Sequence, residues 1–380
     1  MEKVNRSSIS RRALLLSSAA AVACGPRRAT GFLGYCFVAN QADRSVAAVD
    51  LDRFAVRKEI HLDAAPAAVL AHPAKPLGYI LAPQAGTVYE IDAANLAVSR
   101  RVRAGSQAVA MRMSARGDAL WVLYRDPPAL VEIPLDSLRP ARRIRLAAPP
   151  DCFDLSIDNL AAISDLQSCT ITLASLSQGS VVRTIRMEDE PSLLQFQSDG
   201  KQLIAGSTAE RCVTIFETGS GSTVVRLPLP LEPRNFCTSL DGGQLFVTGD
   251  GMDAVVIVFP YSTEVDQTIL AGRAPGAMAV TDRYLLVANP DTNNITVLDI
   301  DSRGLVAVVQ VGEQPGHILI TPDQQYAIVL NEKSGDMAVI RIFSLAFTPN
   351  GSQRRYKTAP LFTLIPVGDR PVGAAVVAWS

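Results

Sequence analysis

Short runs of apolar and β-branched residues, separated by turn residues, follow one another along this chain. Between positions 274 and 316 four such runs occur in succession: Ala277–Val280, Tyr284–Ala288, Ile295–Asp299 and Leu305–Val311. Asp, Arg, Pro and Gly residues fill the short gaps between them. Runs of four to eight residues bounded by such residues predict β-strands joined by tight turns.

The same group of four predicted strands recurs along the chain. Full units begin 39 to 44 residues apart, at Pro66, Ala108, Cys152, Pro191, Pro233, Pro275 and Pro315. A four-stranded unit repeated at about 40 residues is typical of a β-propeller, in which each unit forms one blade. The pattern therefore predicts an all-β protein with a single propeller domain over positions 34–380.

The two ends of the chain supply the parts of one further unit. Three predicted strands, Tyr35–Asn40, Ser45–Asp50 and Val56–Leu62, precede the first full unit, and Pro371–Trp379 matches only a first strand. Pairing the C-terminal strand with the first three would close the ring and remove its open sheet edges. Seven full units and one composite blade predict eight blades. Seven blades are the alternative, because the unit Cys152–Met187 matches the pattern least.

Tetrapeptides in the predicted second strands carry a family resemblance. Phe37–Asn40, Leu286–Asn289 and Phe246–Gly249 resemble the Tyr-Val-Thr-Asn sequence of YVTN-type β-propeller repeats, a bacterial and often exported group akin to WD40 propellers. The resemblance implies the propeller fold. It leaves the function open, since this broad class includes extracytoplasmic binding proteins, lactonases and redox-enzyme subunits.

The N-terminal 24 residues have the features of an export signal. Arg11 and Arg12 precede the apolar run Ala13–Ala23, and small residues lead up to Cys24. The arginine pair resembles a twin-arginine (Tat) signal, and Ala21–Cys24 resembles a lipobox, whose cysteine is lipidated after cleavage. The alternative is that Cys24 merely follows an ordinary cleavage site. We therefore expect an exported, periplasmic or cell-envelope protein, with positions 25–33 as a tether and any membrane contact made through lipid on Cys24.

The overall composition limits the classes of partner. The chain has 36 basic and 37 acidic residues, which give a formal net charge of −1, and 48% of its residues are hydrophobic. Such a balance does not favour nucleic-acid binding and supports a large packed core. Apart from Cys24, the five cysteines show no metal-binding or disulfide spacing. The sequence therefore predicts no metal site and no cofactor, and we expect a monomer.

Loops on one face of the predicted propeller provide the candidate binding residues. Loops that join the fourth strand of one blade to the first of the next surround the mouth of the central channel, where propellers usually bind their ligands. Here these loops offer Arg234, Arg273, His317 and Arg370. Arginines that converge on such a mouth would suit a small anionic ligand, whereas ordinary exposed loop charges would pair with one another. A longer loop, Ala346–Pro360, carries Arg354, Arg355 and Lys357 and is either a solvated hairpin tip or a contact for a partner.

His317 is the one candidate catalytic residue. It follows Pro315 and Gly316 at the entry of a predicted innermost strand, so it should lie near the channel as a general base, an axial ligand or a structural histidine. His61 and His72 fall elsewhere in the repeat, and the motifs GxSxG and HExxH are absent from the sequence.

Two functions remain after these exclusions. The first is an exported, non-catalytic propeller that binds a ligand or a partner protein through its channel-mouth loops. The alternative is an enzyme or cofactor-handling protein, similar to lactonase or haem-binding propellers, with His317 at its centre. The residues favour the first, without deciding whether the chain is an enzyme.

Overall fold

Eight four-stranded antiparallel sheets form a ring in the computed structural model, which describes residues 31–345 and 359–378. The predicted all-β propeller is confirmed, with eight blades rather than the alternative seven. Within these two ranges no helix is long and apolar enough to cross a membrane. The export signal, Cys24, most of the tether and the basic part of the 346–360 loop lie outside the described residues.

The first blade joins the two ends of the chain. Its strands are β1 (Gly34–Asn40), β2 (Ser45–Asp50), β3 (Ala55–His61) and, innermost, β32 (Pro371–Ala378). The sheet order is β3-β2-β1-β32, and β1 pairs with β32 from Gly34 opposite Ala378 to Asn40 opposite Pro371. The predicted closure of the ring by the C-terminal strand is confirmed.

Each of the other blades is a consecutive run of four strands, with the first strand innermost. Blade 2 contains β4 (Ala68–Ala71), β5 (Leu77–Ala82), β6 (Thr87–Asp92) and β7 (Ala97–Arg103). Blade 3 contains β8 (Ser106–Met113), β9 (Ala119–Asp126), β10 (Pro128–Pro134) and β11 (Arg142–Arg145). Blade 4 contains β12 (Cys152–Leu155), β13 (Leu160–Asp165), β14 (Thr170–Ser175) and β15 (Ser180–Arg186).

The second half of the ring repeats this arrangement. Blade 5 contains β16 (Leu193–Phe196), β17 (Gln202–Ser207), β18 (Cys212–Glu217) and β19 (Thr223–Pro228). Blade 6 contains β20 (Glu232–Thr238), β21 (Leu245–Asp250), β22 (Ala254–Phe259) and β23 (Glu264–Leu270). Blade 7 contains β24 (Met278–Val280), β25 (Tyr284–Asn289), β26 (Asn294–Asp299) and β27 (Leu305–Gln310). Blade 8 contains β28 (Pro315–Ile320), β29 (Tyr326–Asn331), β30 (Asp336–Arg341), a 3-10 turn (Ile342–Leu345) and β31 (Leu361–Pro366).

The hydrophobic core lies between the blades. Each of the eight interfaces has its own cluster of buried side chains; that between blades 1 and 2 includes Phe37, Ile80 and Tyr89. The middle strands are buried on both faces because a blade packs against two neighbours, whereas the outermost strands, such as β3, are mostly exposed. Since every blade needs both neighbours to bury its faces, the ring is the stable unit.

The connections between strands define two faces of the ring. We call the mouth face the one formed by the loops between blades and by the loops between second and third strands. The opposite face is formed by the turns between first and second and between third and fourth strands. The chain enters β1 at the opposite face, where the amide of Leu51, in a turn of that face, donates to the Gly34 carbonyl.

Candidate functional site

Buried asparagines build the framework of the mouth face. Asn40, Asn289 and Asn331 end the second strands of blades 1, 7 and 8, and each is fully buried. Asn40 donates through Nδ2 to the Val367 carbonyl at 2.7 Å, and Asn289 accepts through Oδ1 from the Gly272 amide at 3.0 Å. Both bonds reach into a loop between blades. The asparagine of the YVTN-like tetrapeptide therefore has a structural role, which is to fasten one blade to the loop that enters or leaves it.

Glycines in the loops between blades make room for these asparagines. A Cβ atom placed on Gly272 would lie 2.5 Å from Cγ of Asn289, and one on Gly368 would lie 2.4 Å from Nδ2 of Asn40. Gly312 stands in the same relation to Asn331. The close approach of backbone to side chain thus requires glycine at all three positions.

Charged side chains on the mouth face are mostly paired with one another. The ion pairs around the rim include Arg101–Asp63, Arg125–Asp151, Arg211–Glu232, Arg234–Asp250, Lys333–Glu313 and Arg370–Glu332. Most of these side chains are half or more exposed. Exposed pairs contribute only about 0–1 kcal/mol each to stability. Because the side chains are exposed, their charges are accessible to a binding partner.

The predicted binding arginines fall into two groups. On blade 6, Arg234 pairs through Nε with Oδ2 of Asp250 at 2.9 Å. Asp250 and Arg273 line a cleft of about 380 Å³, together with Asp253 and Asp291. Among the residues that the structure describes, Arg273 has no carboxylate within 4 Å. The three aspartates nevertheless make the cleft acidic on balance.

The second group lies where blade 8 meets blade 1. Arg370 faces Glu332, with 3.9 Å between Nε and Oε2, and the carboxylate of Glu332 lies against Gly316. His317 is on the innermost strand β28, as its position in the sequence predicts, and hydrogen-bonds to the backbone of Ala374 on the innermost strand of blade 1. Burial lowers the pKa of His317 below its ordinary value of 6.5, so the imidazole is neutral at physiological pH.

Three other groups of side chains were not singled out by the sequence. Glu90 is buried between blades 2 and 3 and is held by Arg100. Arg226 contacts Glu188 at 2.7 Å and Asp189 at 2.6 Å beside a cleft of about 210 Å³. Arg112 and Asp154 meet on the channel wall. Each group brings together residues of different blades, which are far apart in the sequence. Only a comparison of equivalent positions in the repeat could have predicted these contacts.

Comparison with known proteins supports the fold. No protein-family model matches the chain. The seven-bladed beta-propeller protein Rv1057 of Mycobacterium tuberculosis is 26% identical over 145 residues, a match that spans 36% of this chain and 37% of that relative. The chain is therefore matched to little more than a third of the curated relative's length.

Solved structures extend the likeness over most of the ring. Dihydro-heme d1 dehydrogenase NirN, in complex with DHE, superimposes with a TM-score of 0.76 at 17% identity, covering 94% of this chain and 78% of that one. Hydrazine synthase of Kuenenia stuttgartiensis gives a TM-score of 0.59 at 19% identity, over 73% and 95% of the two chains. A functionally unknown protein from Desulfotomaculum acetoxidans gives 0.60 at 13%, over 78% and 99%. The likeness is one of fold.

The described residues include few side chains arranged to bind a metal ion. Within residues 31–345 and 359–378, no three His, Cys, Asp or Glu side chains are grouped so that they could hold a metal ion. The five cysteines of this part of the chain are all free thiols. What the mouth face presents chemically is a rim of paired charges, a neutral histidine and, among the described residues, arginines without a carboxylate within 4 Å, such as Arg44 and Arg273.

Proposed function

We propose that this chain is an exported, non-catalytic binding propeller whose mouth face docks a partner protein. The observation that carries the proposal is the rim of exposed ion pairs contributed by most of the blades. Such pairs stabilise the fold little, but they can steer and orient a partner of complementary charge. A broad polar surface with both signs of charge fits a protein better than a small anion, because Arg234 and Arg370 already face carboxylates.

The proposal is tested by reversing charge on the mouth face. Wild-type protein and the triple variant Arg234→Glu, Arg273→Glu, Arg370→Glu would be used to capture proteins from cell-envelope extracts at low and high salt. We expect a partner that binds wild type, is lost with the triple variant and is weakened at high salt. Arg116→Glu on the opposite face is the matched control and should retain it. Equal capture by all three proteins would contradict the proposal.

The N-terminal segment adds an anchor and an orientation to this proposal. If Cys24 is lipidated after export, the short tether leads into β1 at the opposite face, and the mouth face then points away from the membrane. Metabolic labelling with an alkyne fatty acid should label wild type, whereas Cys24→Ser should be unlabelled and released from membranes. If wild-type protein is not labelled, the lipid anchor is excluded, and the proposal for the mouth face is unaffected.

A second candidate function is cofactor handling centred on His317. It is favoured by the neutral imidazole on an innermost strand, beside the Arg370–Glu332 pair, and by the fold shared with NirN, whose structure contains DHE. His317 would supply a nitrogen ligand to a haem-like group, and Arg370 would pair with one of its carboxylates. An absorption band of the purified protein that is lost in His317→Ala, or lactone hydrolysis lost in that variant, would favour this candidate over the first.

A further inference from the structure

One position of the innermost strands differs sharply between the two halves of the ring. It is the residue paired with the first residue of the YVTN-like tetrapeptide in the second strand, and in blade 1 it is Ala375, opposite Phe37. Five blades place an aliphatic residue or cysteine there: Ala375, Leu70, Cys237, Ala279 and Leu319. The consecutive blades 3, 4 and 5 instead place Arg112, Asp154 and Gln195 there. We call these three residues the polar arc.

Each residue of the polar arc contacts the next blade. Arg112 Nε lies 3.9 Å from Oδ1 of Asp154, and Asp154 Oδ2 accepts from the amide of Phe196 on blade 5 at 2.8 Å. Gln195 donates through Nε2 to Oγ1 of Thr238 on blade 6. The arc therefore runs without a break along the innermost strands of four blades, towards the opposite face of the ring.

Arg112 has hydrogen-bonding capacity that its surroundings do not use. Its side chain is 52% exposed, its guanidinium lies over the Phe153 ring, and its one hydrogen bond among the described residues is a long one, 3.4 Å, to the Met111 carbonyl. Arg100, by contrast, donates to both oxygens of Glu90 and to the carbonyls of Leu135 and Asp136. A guanidinium has five N–H donors in a planar fork that matches a carboxylate.

A buried amide next to the arc also lacks a partner. Gln197 is 6% exposed, and neither Nε2 nor Oε1 of its side chain has a hydrogen-bond partner among the described residues. The corresponding turn residues of blades 4, 6, 7 and 8 are serine or threonine: Ser156, Ser239, Thr281 and Thr321. An unsatisfied buried polar group costs about 1–3 kcal/mol, so a polar molecule that reached this amide, water included, would be stabilised there.

We propose that the polar arc is a binding site, at the end of the channel away from the mouth, for a small organic carboxylate with a hydrocarbon body. Arg112 binds the carboxylate, and Gln195, two blades further on, continues the polar side of the channel wall. The aliphatic side chains at the same position of the other blades, Leu70 and Leu319 among them, pack partly against the cores between blades, and their remaining apolar surface lies at the same level of the channel. This site is separate from the mouth face and from the function proposed for it.

Asp154 competes with the ligand for Arg112. Burial raises the pKa of Asp154 above its ordinary value of 3.8, against the lowering effects of the Phe196 amide and Arg112. Arg112 on β8 is the charged group that faces it from a neighbouring strand, and Cys152 is the titratable group beside it on β12. As the pH falls towards the raised pKa, Asp154 gains a proton and stops repelling an anion. Removing the Asp154 charge should therefore strengthen carboxylate binding.

The test is calorimetric titration of the full chain with octanoate, with succinate and inorganic phosphate as comparison anions. We expect octanoate to bind more tightly than either, and its dissociation constant to rise at least about tenfold in Arg112→Gln. Arg116→Gln, an exposed arginine four residues further along blade 3, is the matched control and should bind as wild type does. Asp154→Asn, which removes the competing charge, should bind octanoate more tightly than wild type does.

Several outcomes would overturn the proposal. One is that octanoate does not bind to the wild-type protein. Another is that Arg112→Gln and Arg112→Lys both bind octanoate as tightly as wild type does. Loss of binding in Arg273→Glu with Arg112→Gln unaffected would place the carboxylate at the mouth instead. If thermal denaturation shows that Arg112→Gln is unfolded, the Asp154→Asn variant decides, since an affinity for octanoate equal to that of wild type would also exclude the site.

Discussion

The two faces of the ring are fastened in different ways. On the mouth face, buried asparagines such as Asn40 and Asn289 reach from one blade into the loop that connects it to the next. On the opposite face, serine and threonine hydroxyls bond within their own turn, as Thr321 does with the Tyr326 amide at 3.1 Å. The first kind of bond couples neighbouring blades, and the second stabilises a single hairpin.

The faces also differ in what they expose. The mouth face presents paired charges, whereas large apolar side chains in turns of the opposite face are well exposed, among them Ile157, Leu240 and Tyr261. The comparison indicates that a change in the asparagine–loop contacts of the mouth face should disturb the ring, whereas changes in its exposed charges and in most turns of the opposite face should stay local. The following predictions test that difference.

Opening the ring should have the largest effect on both faces. Deleting residues 371–380 removes β32, which pairs with β1 along its whole length and buries Val377. The free edge of β1 would then be open to pairing with another chain, so we expect aggregation or non-cooperative unfolding. Size-exclusion chromatography and calorimetry would measure this. A soluble monomer with one sharp transition would show that closure does not hold the faces together.

Two adjacent arginines on β7 allow an ion pair with a buried carboxylate to be compared with an exposed ion pair. Arg100 neutralises Glu90, which is 3% exposed, and also reaches blade 3, whereas Arg101 pairs with Asp63 in an exposed position on the mouth face. Arg100→Ala leaves a buried charge and should cost about 3–5 kcal/mol of unfolding free energy. Arg101→Ala should cost about 0–1 kcal/mol. Urea denaturation checks both, and similar losses in the two variants would contradict the distinction.

Glycine substitutions compare a loop between blades with a turn inside one blade. Gly272→Ala would place a methyl group against Asn289 and should cost about 1–3 kcal/mol. Gly219, in a turn of the opposite face on blade 5, has no heavy atom within 4 Å of the added carbon. Gly219→Ala should therefore be neutral or slightly stabilising. Equal melting temperatures of the two variants would show that the Asn–Gly contact is not a constraint.

Acidification should have the smallest of these effects, through His317. Its pKa is lowered in the folded protein, so below about pH 6.5 the unfolded chain binds a proton that the folded chain does not. The stability that His317 contributes is present above this pH and is lost as the pH falls further. His317→Gln should flatten the loss between about pH 6.5 and 5, measured by urea denaturation. A parallel slope in wild type and variant would exclude His317 as the cause.

Much of the fold could be predicted from the sequence because strand and turn signals are local. The period of about 40 residues predicted the blades, and the unmatched strands at the two ends predicted their pairing in blade 1. The position of His317 on an innermost strand followed from its place in the repeat. The same repeat also contains the polar arc, but Arg112, Asp154 and Gln195 become notable only once the strand register shows that they occupy one position in consecutive blades.

The sequence by itself predicted a closed ring of blades, with eight favoured over seven, since periodicity and the two incomplete ends need no knowledge of contacts. Only the tertiary structure decided which charges meet. Arg234 pairs with Asp250 at the far end of the neighbouring strand, and Arg370 faces Glu332 from another blade. The buried Glu90 pairs with the partly exposed Arg100. Such pairings depend on how loops and strands from different blades approach one another within a few ångströms, and hydrophobic periodicity carries no information at that scale.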